Sequence, residues 1–471
     1  MSENKAGMYL SASIWYIVAN FLGQGIVLIS NIIFTRIMSQ SDYGLYSTYY
    51  SVVALLTPFV GANLFVGLTN GYFDFKEDRK NFRGSIFFLS IVVFFFFSLL
   101  FLSFKTLVFP WFNFSIPTII CVFTLIHAYS FFIINYYNTY ANLENNYRVK
   151  SLLIFLPNFL QVAFSIFLIN LFADNSYFAR VVGSTSGVLF CGLIPCIVML
   201  LNTKTFINKK YFSYALKLSV PSVLSSIAYM VMQQSDHIMI TAFVGAEYTA
   251  VYSLVYLIGN VMYAFLQATG GVFQSWLYRA LDSKQTENVC FVQKWYLVFF
   301  LIIAIGLLMV SPEIIKILSP ESYWDFRYIP PFVASSALVV MNSMYCNIAD
   351  FNKKQHVVSL FVLLSAFFNV VTNLVFIKLF GSLAAAYTSF GAYVLLVILV
   401  RSLLNKMNRN YYSDRYFIMY LISILFGCFV FLMIYHNVLI RYVVFSLFIV
   451  LCCFYCIIKK GEIFSILGYS K

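Results

Sequence analysis

Charged residues are scarce in this chain, and acidic residues are the scarcest of them. Asp and Glu together number 17 of 471 residues against 30 Lys and Arg, and 62% of the chain is hydrophobic. The mean hydropathy of +0.86 lies far outside the range of a soluble domain. No hydrophilic stretch is long enough to form a folded domain outside a bilayer. Composition therefore excludes a soluble globular protein and predicts a polytopic membrane protein.

The chain also lacks the patterns that catalysis or metal binding would need. Its nine cysteines show no metal or disulfide spacing. There is no glycine loop of the kind that cradles phosphates, no nucleophile elbow and no zinc motif. We therefore expect no enzyme activity, no catalytic residues, no metal and no cofactor. The polar first 13 residues are not followed by a cleavage pattern, so no cleavable signal is expected either.

Long apolar stretches are what the chain has instead, and fourteen can be read between Ile14 and Ile458. A helix that crosses a hydrocarbon core about 30 Å thick needs roughly 20 residues. The predicted fold is therefore all-α, with about 14 transmembrane helices. The second stretch is interrupted near Pro58 and Asn63, and the eighth carries Gly270 and Gly271. We predict a break in both helices, as membrane helices tolerate where protein or water satisfies the backbone.

Positive charges alternate along the connections between these helices. With the N-terminus in the cytoplasm, inner segments hold 22 of the 30 Lys and Arg residues. The outer segments hold only Arg36, Lys105, Arg180, Lys316, Arg327, Lys378 and Arg441. Such a bias sets topology, so we predict a multi-pass inner (cytoplasmic) membrane protein with both termini in the cytoplasm. The net charge of +13 then reflects topology and anionic lipids, and no nucleic-acid partner is expected.

The two halves of the chain resemble each other at an offset of just over 200 residues. The segment 42–47 (DYGLYS) is echoed, with one inserted residue, by 247–253 (EYTAVYS). Repeats in the same orientation are related by an axis along the membrane normal, an arrangement that supports alternating access in transporters. We predict an N-terminal six-helix lobe over 1–205 and a second over 206–405. Two further helices and a tail would occupy 406–471.

Two helices of the predicted lobes carry a polar face with the same spacing of four, seven and four residues. At about 100° per residue each set falls within roughly a 60° wedge. The sets are Asn20, Gln24, Asn31 and Thr35 in helix one, and Ser222, Ser226, Gln233 and His237 in helix seven. One interpretation is a polar path for a hydrated substrate. The other is a helix–helix seam in which amides and hydroxyls bond to each other.

Three motifs resemble those of a known family. The stretch 34–46 (FTRIMSQSDYGLY) resembles the opening motif of the Wzx-type polysaccharide flippases, which belong to an exporter superfamily with the multidrug antiporters and the lipid II flippases. Segments 221–226 (PSVLSS), 234–240 (QSDHIMI) and 245–248 (GAEY) are similar to the second-half motif. Segment 273–279 (FQSWLYR) fits the end of the eighth helix, without the proline often found there.

This resemblance implies a flippase for a glycan carried on undecaprenyl pyrophosphate, serving O-antigen or related surface polysaccharide synthesis. It implies two lobes around a cavity that opens alternately to each face, with the polyprenyl tail remaining among the membrane lipids. A polysaccharide polymerase and a chain-length regulator are further candidate partners.

Charged residues of the motifs are the candidates for the site that the resemblance implies. Arg36 is the first candidate for the pyrophosphate, because the planar guanidinium matches phosphate oxygens, and Lys217 is the second. Either could instead reach the lipid headgroups from the interface. Asp236 and His237 are candidates for ion coupling, or equally a pair that stabilises a helix end. We interpret His127 as a core residue rather than a proton relay.

Two other functions compete with the flippase. A small-molecule antiporter of the multidrug type would be expected to have acidic residues within its first lobe, whereas the first six apolar stretches here contain no Asp or Glu. A polysaccharide polymerase would carry a large external loop, and the longest predicted outer connection, around 311–327, is too short. A membrane O-acyltransferase would need a reactive His with an Arg at a helix end, and no convincing pair is present.

Overall fold

The structure is a computed structural model that describes residues 2–108, 117–201, 203–283, 288–409 and 411–459. All regular secondary structure in these ranges is helical, which confirms the all-α prediction. The first eight are α1 (Ser2–Ile37), α2 (Gln40–Val60), α3 (Leu64–Asp74), α4 (Arg79–Val108), α5 (Thr118–Leu143), α6 (Tyr147–Leu171), α7 (Ser176–Leu201) and α8 (Lys209–Phe243). The others are α9 (Ala246–Asp282), α10 (Val289–Leu318), α11 (Ile329–Phe351), α12 (Gln355–Phe380), α13 (Leu383–Lys406), α14 (Asp414–Ile434) and α15 (Val438–Ile458).

Thirteen of the described helical segments are long and apolar enough to cross a membrane, with α2 and α3 counted as one. In α1, the part that qualifies as apolar among the described residues is shorter, Leu22–Ile37. Together these segments match the predicted set of about fourteen spans. The architecture is therefore that of a multi-pass helical membrane protein.

The predicted break in the second span is present, and the one in the eighth is not. Between α2 and α3, Ala62 and Asn63 adopt left-handed backbone angles, with φ of 45° and 48°. Pro58 lies one turn earlier, inside α2, and has no N–H with which to donate a helical hydrogen bond. In contrast, α9 runs unbroken through Gly270 and Gly271. That prediction was wrong because an isolated glycine pair weakens a helix without removing any of its hydrogen bonds.

The chain forms two compact units, 1–250 and 251–471. The boundary lies later than the predicted lobe boundary at 205, because α8 packs along α2 and α3 of the first unit. A close approach also joins α2 to the first residue of α9, which belongs to the same unit: a Cβ on Gly44 would lie 1.7 Å from the carbonyl oxygen of Ala246. The division into lobes by sequence repeat stays a prediction.

Helices α6 and α7 are the most closely packed helix pair of the first unit, and Gly183 and Gly187 of α7 lie directly against the α6 backbone. In the second unit α11 packs on α13 and α14, and α12 packs on α13. The α12–α13 contact is polar, since Nδ2 of Asn369 donates to Oγ of Ser389 at 3.1 Å and the hydroxyl of Thr388 on α13 donates to Oδ1 of Asn373. Bonds of this kind hold helices together where the hydrophobic effect does not.

Candidate functional site

A polar seam runs between α8 and the α2–α3 segment of the first unit. Oγ of Ser51 donates to Oε1 of Gln234 at 2.8 Å, and Nδ2 of Asn63 donates to Oγ of Ser226 at 2.8 Å. Nearer the start of α8, the backbone N–H of Gly67 donates to Oγ of Ser219 at 3.1 Å. These bonds span several turns, so much of the polar surface of α8 is used to join helices within one unit.

The predicted polar face of α8 contributes only partly to this seam. Ser226 belongs to it, which favours the seam interpretation for that residue. Gln233 is half-buried, and Asp236 and His237 lie buried in the last two turns of α8, with 3% and 5% of their surfaces exposed. The bond of Ser51 goes to the neighbouring Gln234, a residue that the four-seven-four spacing does not include.

The polar face of α1 also divides along its length. Asn31 and Thr35 are buried, and the hydroxyl of Tyr43 on α2 donates to Oδ1 of Asn31 at 2.7 Å. Gln24, two turns earlier, is exposed. The side chain of Asn20 lies outside the described side chains. The C-terminal half of this face is therefore a contact with α2, and among its three described members Gln24 has surface available to a ligand.

The two basic candidates, Arg36 and Lys217, are both exposed. Arg36 ends α1, and its Nη1 donates to the carbonyl oxygen of Ile32 at 2.8 Å. Lys217 lies on the exposed face of α8 with Val220 and Leu224, whose exposed fractions are 55% and 58%. The two residues are on different helices of the same unit, and both have surface that an anion could reach.

A further arginine, Arg180, does not lie where the sequence predicted. Arg180 was placed in an outer connection, but it lies within α7 and is 6% exposed. Its guanidinium carbon is 3.8 Å from the ring centres of both Phe34 and Tyr46. Its Nη1 also lies 3.5 Å from the sulfur of Met38. Cation–π contacts on both faces make Arg180 a structural residue that ties α7 to α1 and α2.

His127 is fully buried in the middle of the first unit. The Tyr49 hydroxyl lies 3.0 Å from Nδ1 of His127 and 2.8 Å from Oγ1 of Thr185. The Phe131 ring stacks on the imidazole at 4.9 Å between centres. Contacts with hydroxyls and aromatic rings are typical of a histidine in a protein core, in line with the interpretation of His127 as a core residue.

A further polar surface, which was not predicted from the sequence, lies on α9. On α9, Asn260, Tyr263 and Gln267 are exposed, and Nε2 of Gln274 donates to the Tyr278 hydroxyl at 3.0 Å. At about 100° per residue these five positions fall within roughly a 60° wedge. We call them the α9 polar stripe. Residues 263, 267, 274 and 278 repeat the four-seven-four spacing of α1 and α8, so the signal was present in the sequence.

The α9 polar stripe cannot face lipid, because hydrocarbon leaves amide groups without partners at a cost of several kcal/mol each. It must therefore face water, a ligand or other protein. Across the described ranges, no three His, Cys, Asp or Glu side chains come together as metal ligands. The stripe is suited to hydrogen-bonding a polar ligand, and the exposed cations of the first unit are suited to binding an anion.

Fold and exposed polar surface define the class: a multi-pass helical membrane protein with hydrophilic surface on helices that cross the bilayer. The chain belongs to the polysaccharide biosynthesis protein family, whose profile matches residues 10–273. This confirms the resemblance seen in the motifs. No curated protein matches the chain.

Solved structures with the same fold include "Lipid II flippase MurJ, inward closed conformation", at a TM-score of 0.64 and 16% identity over 96% of this chain and 100% of that one. An inward-facing multidrug resistance MATE family transporter of the MOP superfamily gives a TM-score of 0.54 at 12% identity, over 81% and 99%. A MOP superfamily transporter from Pyrococcus furiosus gives 0.53 at 13%, over 84% and 95%. At these identities the likeness shows the fold alone.

The two interpretations of Ser226 predict different outcomes for Ser226→Ala. As a seam residue, its loss removes the 2.8 Å acceptor of Asn63 and leaves that amide its 3.3 Å contact with the Ser222 carbonyl. We expect a destabilisation of about 1 kcal/mol or less, seen as a lower melting temperature in detergent, with transport unchanged per folded molecule. The half-buried neighbour Ser225→Ala is the control. Lost transport at an unchanged melting temperature would instead favour the polar path.

Proposed function

We propose that this protein is a flippase that moves undecaprenyl-pyrophosphate-linked oligosaccharide repeat units across the cytoplasmic membrane, for O-antigen or related surface polysaccharide synthesis. The observation that carries the proposal is the combination of family and extent. The chain belongs to a polysaccharide biosynthesis family, and its fold matches a lipid II flippase over nearly the whole of both chains. The lipid II flippase is named for a lipid-linked substrate. A lipid-linked glycan likewise consists of a lipid joined to a polar group.

The exposed residues support this function because such a substrate makes two polar demands on a membrane protein. A hydrated oligosaccharide needs amide and aromatic side chains at membrane depth, which Gln24 and the α9 polar stripe supply. A pyrophosphate needs cations, and we propose Arg36 and Lys217 for this role because both are exposed. Gln233 is a further candidate, while Asp236 and His237 remain the proposed ion-coupling pair.

The proposed orientation follows from the distribution of basic residues. With both termini in the cytoplasm, the repeat unit would enter from the inner face of the cytoplasmic membrane and leave at the outer face. A polymerase and a chain-length regulator would then act on it. In this proposal the protein is not an enzyme, because it breaks no bond of its substrate. Substrate binding and conformational change move the substrate across the membrane.

Deletion of the gene in its host provides the test. We expect loss of the surface glycan and accumulation of single lipid-linked repeat units that an added, membrane-impermeant glycosidase cannot reach. Plasmid-borne wild-type protein should restore both readouts. Repeat units that reach the outer face unpolymerised would indicate a polymerase instead. Unchanged glycan with altered drug tolerance would indicate an antiporter, the alternative to which the MATE-like fold also points.

Within the same assay, the α9 polar stripe can be tested directly. Gln267→Leu should reduce glycan export by about tenfold, the loss expected when a hydrogen bond to a polar ligand is replaced by an unpaired group. Val272→Leu, at an exposed apolar position of the same helix (76% exposed), is the matched control and should export normally. Equal export by both variants at equal protein levels would remove the stripe from the substrate path.

A further inference from the structure

Arg83 is a buried arginine whose charge the described protein does not neutralise. It lies in the second turn of α4 with 5% of its surface exposed. Its guanidinium carbon lies 4.3 Å from the centre of the Tyr140 ring on α5. Its Nε has no hydrogen-bond partner, and no ion pair joins Arg83 to another residue in the part of the chain that the structure describes.

A buried guanidinium without an ion pair is unfavourable unless an anion binds to it. Burial removes most of the water from a guanidinium, and a cation–π contact on one face offsets only part of that cost. The in-plane N–H donors are the groups that bond carboxylates and phosphates, and a ring stacked on the face leaves them available. Arg441 shows the difference: it is 1% exposed and bonds Glu313 through both of its terminal nitrogens.

The acidic residues nearby are engaged by other groups. Asp78 accepts hydrogen bonds from the Tyr211 hydroxyl at 2.5 Å and from Nδ2 of Asn81 at 2.7 Å. Glu144, which is exposed, accepts from the Tyr72 hydroxyl at 3.1 Å. Further positive charge is present in the same segment, on Lys76, Arg79 and Lys80. The local balance therefore favours an anion from outside the chain.

We propose that Arg83 binds the phosphate group of a membrane-anchored lipid at this end of the first unit. A planar guanidinium held flat by a tyrosine ring presents its donors in a fixed direction, which suits the oxygens of a phosphate. At the surface of a bilayer the abundant anions are phosphates. Two sources share this chemistry: an anionic phospholipid headgroup, and the pyrophosphate of a polyprenyl carrier, the second of which rests on the function proposed above.

The binding test uses the full-length protein in nanodiscs of phosphatidylcholine. A short isoprenyl pyrophosphate, phosphatidylglycerol and inorganic pyrophosphate are each titrated and binding is followed by tryptophan fluorescence. Arg83→Gln should weaken binding of at least one of the two lipids by about tenfold or more, the effect of losing a hydrogen bond to a charged group. Arg148→Gln is the matched control, because Arg148 also lies over a tyrosine, Tyr147 at 6.0 Å, but is exposed.

The outcomes distinguish the two sources of the phosphate, and they test this proposal separately from the flippase proposal. Weaker binding of the isoprenyl pyrophosphate supports the carrier, and weaker binding of phosphatidylglycerol alone supports a headgroup. Equal affinities for wild type and Arg83→Gln, for both lipids, would overturn the proposal without touching the glycan-export result. If Arg83→Gln does not fold, Arg83→Lys decides: it keeps the charge and loses the planar fork, and should still bind the lipid several-fold more weakly.

Discussion

Gly187→Leu is expected to abolish accumulation of folded protein. Gly187 and Gly183 lie one turn apart on α7 and face α6. A Cβ at Gly187 would lie 2.5 Å from the backbone nitrogen of Gln161, and one at Gly183 would lie 2.5 Å from Cα of Ser165. Both clashes are with backbone, so no side-chain rotation relieves them. Helix α7 would have to move away from α6.

The physical reason is that membrane helices associate through close packing of small residues. Lipid chains are as apolar as leucine, so helices gain little from the hydrophobic effect and depend on contact area and interhelical bonds. Separating α6 from α7 gives up that contact along a whole face. Overpacking in a core that can adjust costs about 1–3 kcal/mol, and we expect Gly187→Leu to exceed that range because its neighbour is a helix backbone.

Fluorescence-detected size-exclusion chromatography of detergent extracts checks this expectation, with Gly25→Ala as the control. A Cβ at Gly25 meets nothing within 4 Å, and alanine is the better helix former by about 1 kcal/mol, so this variant should match or exceed wild type. A monodisperse Gly187→Leu protein with an unchanged melting temperature would show that α6 and α7 are not held by close packing.

The fold was predictable because hydropathy and charge report on depth in the membrane. Helix number and the all-α class depend on which residues lie inside the bilayer, and the interruption around Asn63 has a local sign in Pro58. Hydropathy and charge do not report how each helix is rotated about its own axis. Arg180 and Arg441 were both assigned to outer connections by position along the chain, yet each is buried against side chains of distant helices. Neither partner set has a local signature, so the sequence could not reveal them.

The candidate site shows the same limit. The four-seven-four spacing identifies one face of a helix as polar, and that much holds for α1, α8 and α9. It does not tell whether the face meets water or another helix. Asn31 and Ser226 bond neighbouring helices, while Gln24 and Gln267 are exposed. Whether each residue contacts another helix or stays exposed depends on which helices pack together, and that is a property of the tertiary structure.

Glu313→Gln is expected to loosen α15 from the second unit. Most of α15 is exposed, with only 6% of its membrane-length window buried, so it has few packing contacts of its own. Arg441 at its start is the exception. Its two terminal nitrogens bond Glu313 of α10 at 2.8 Å and 2.5 Å, and Nη1 also donates to the Met309 carbonyl oxygen at 2.5 Å.

Removing one partner of such a pair leaves the other charge buried and unpaired, which costs about 3–5 kcal/mol. Because Glu313 retains 24% side-chain exposure, we expect a value near the lower end, about 3 kcal/mol. Hydrogen exchange should report it as faster exchange of α15 amides, with α11 unchanged. Since the loss comes from the unpaired charge, the double variant Glu313→Leu with Arg441→Leu should regain most of the protection. If the single and double variants exchange at the same raised rate, the pair is a specific link whose geometry apolar packing cannot replace.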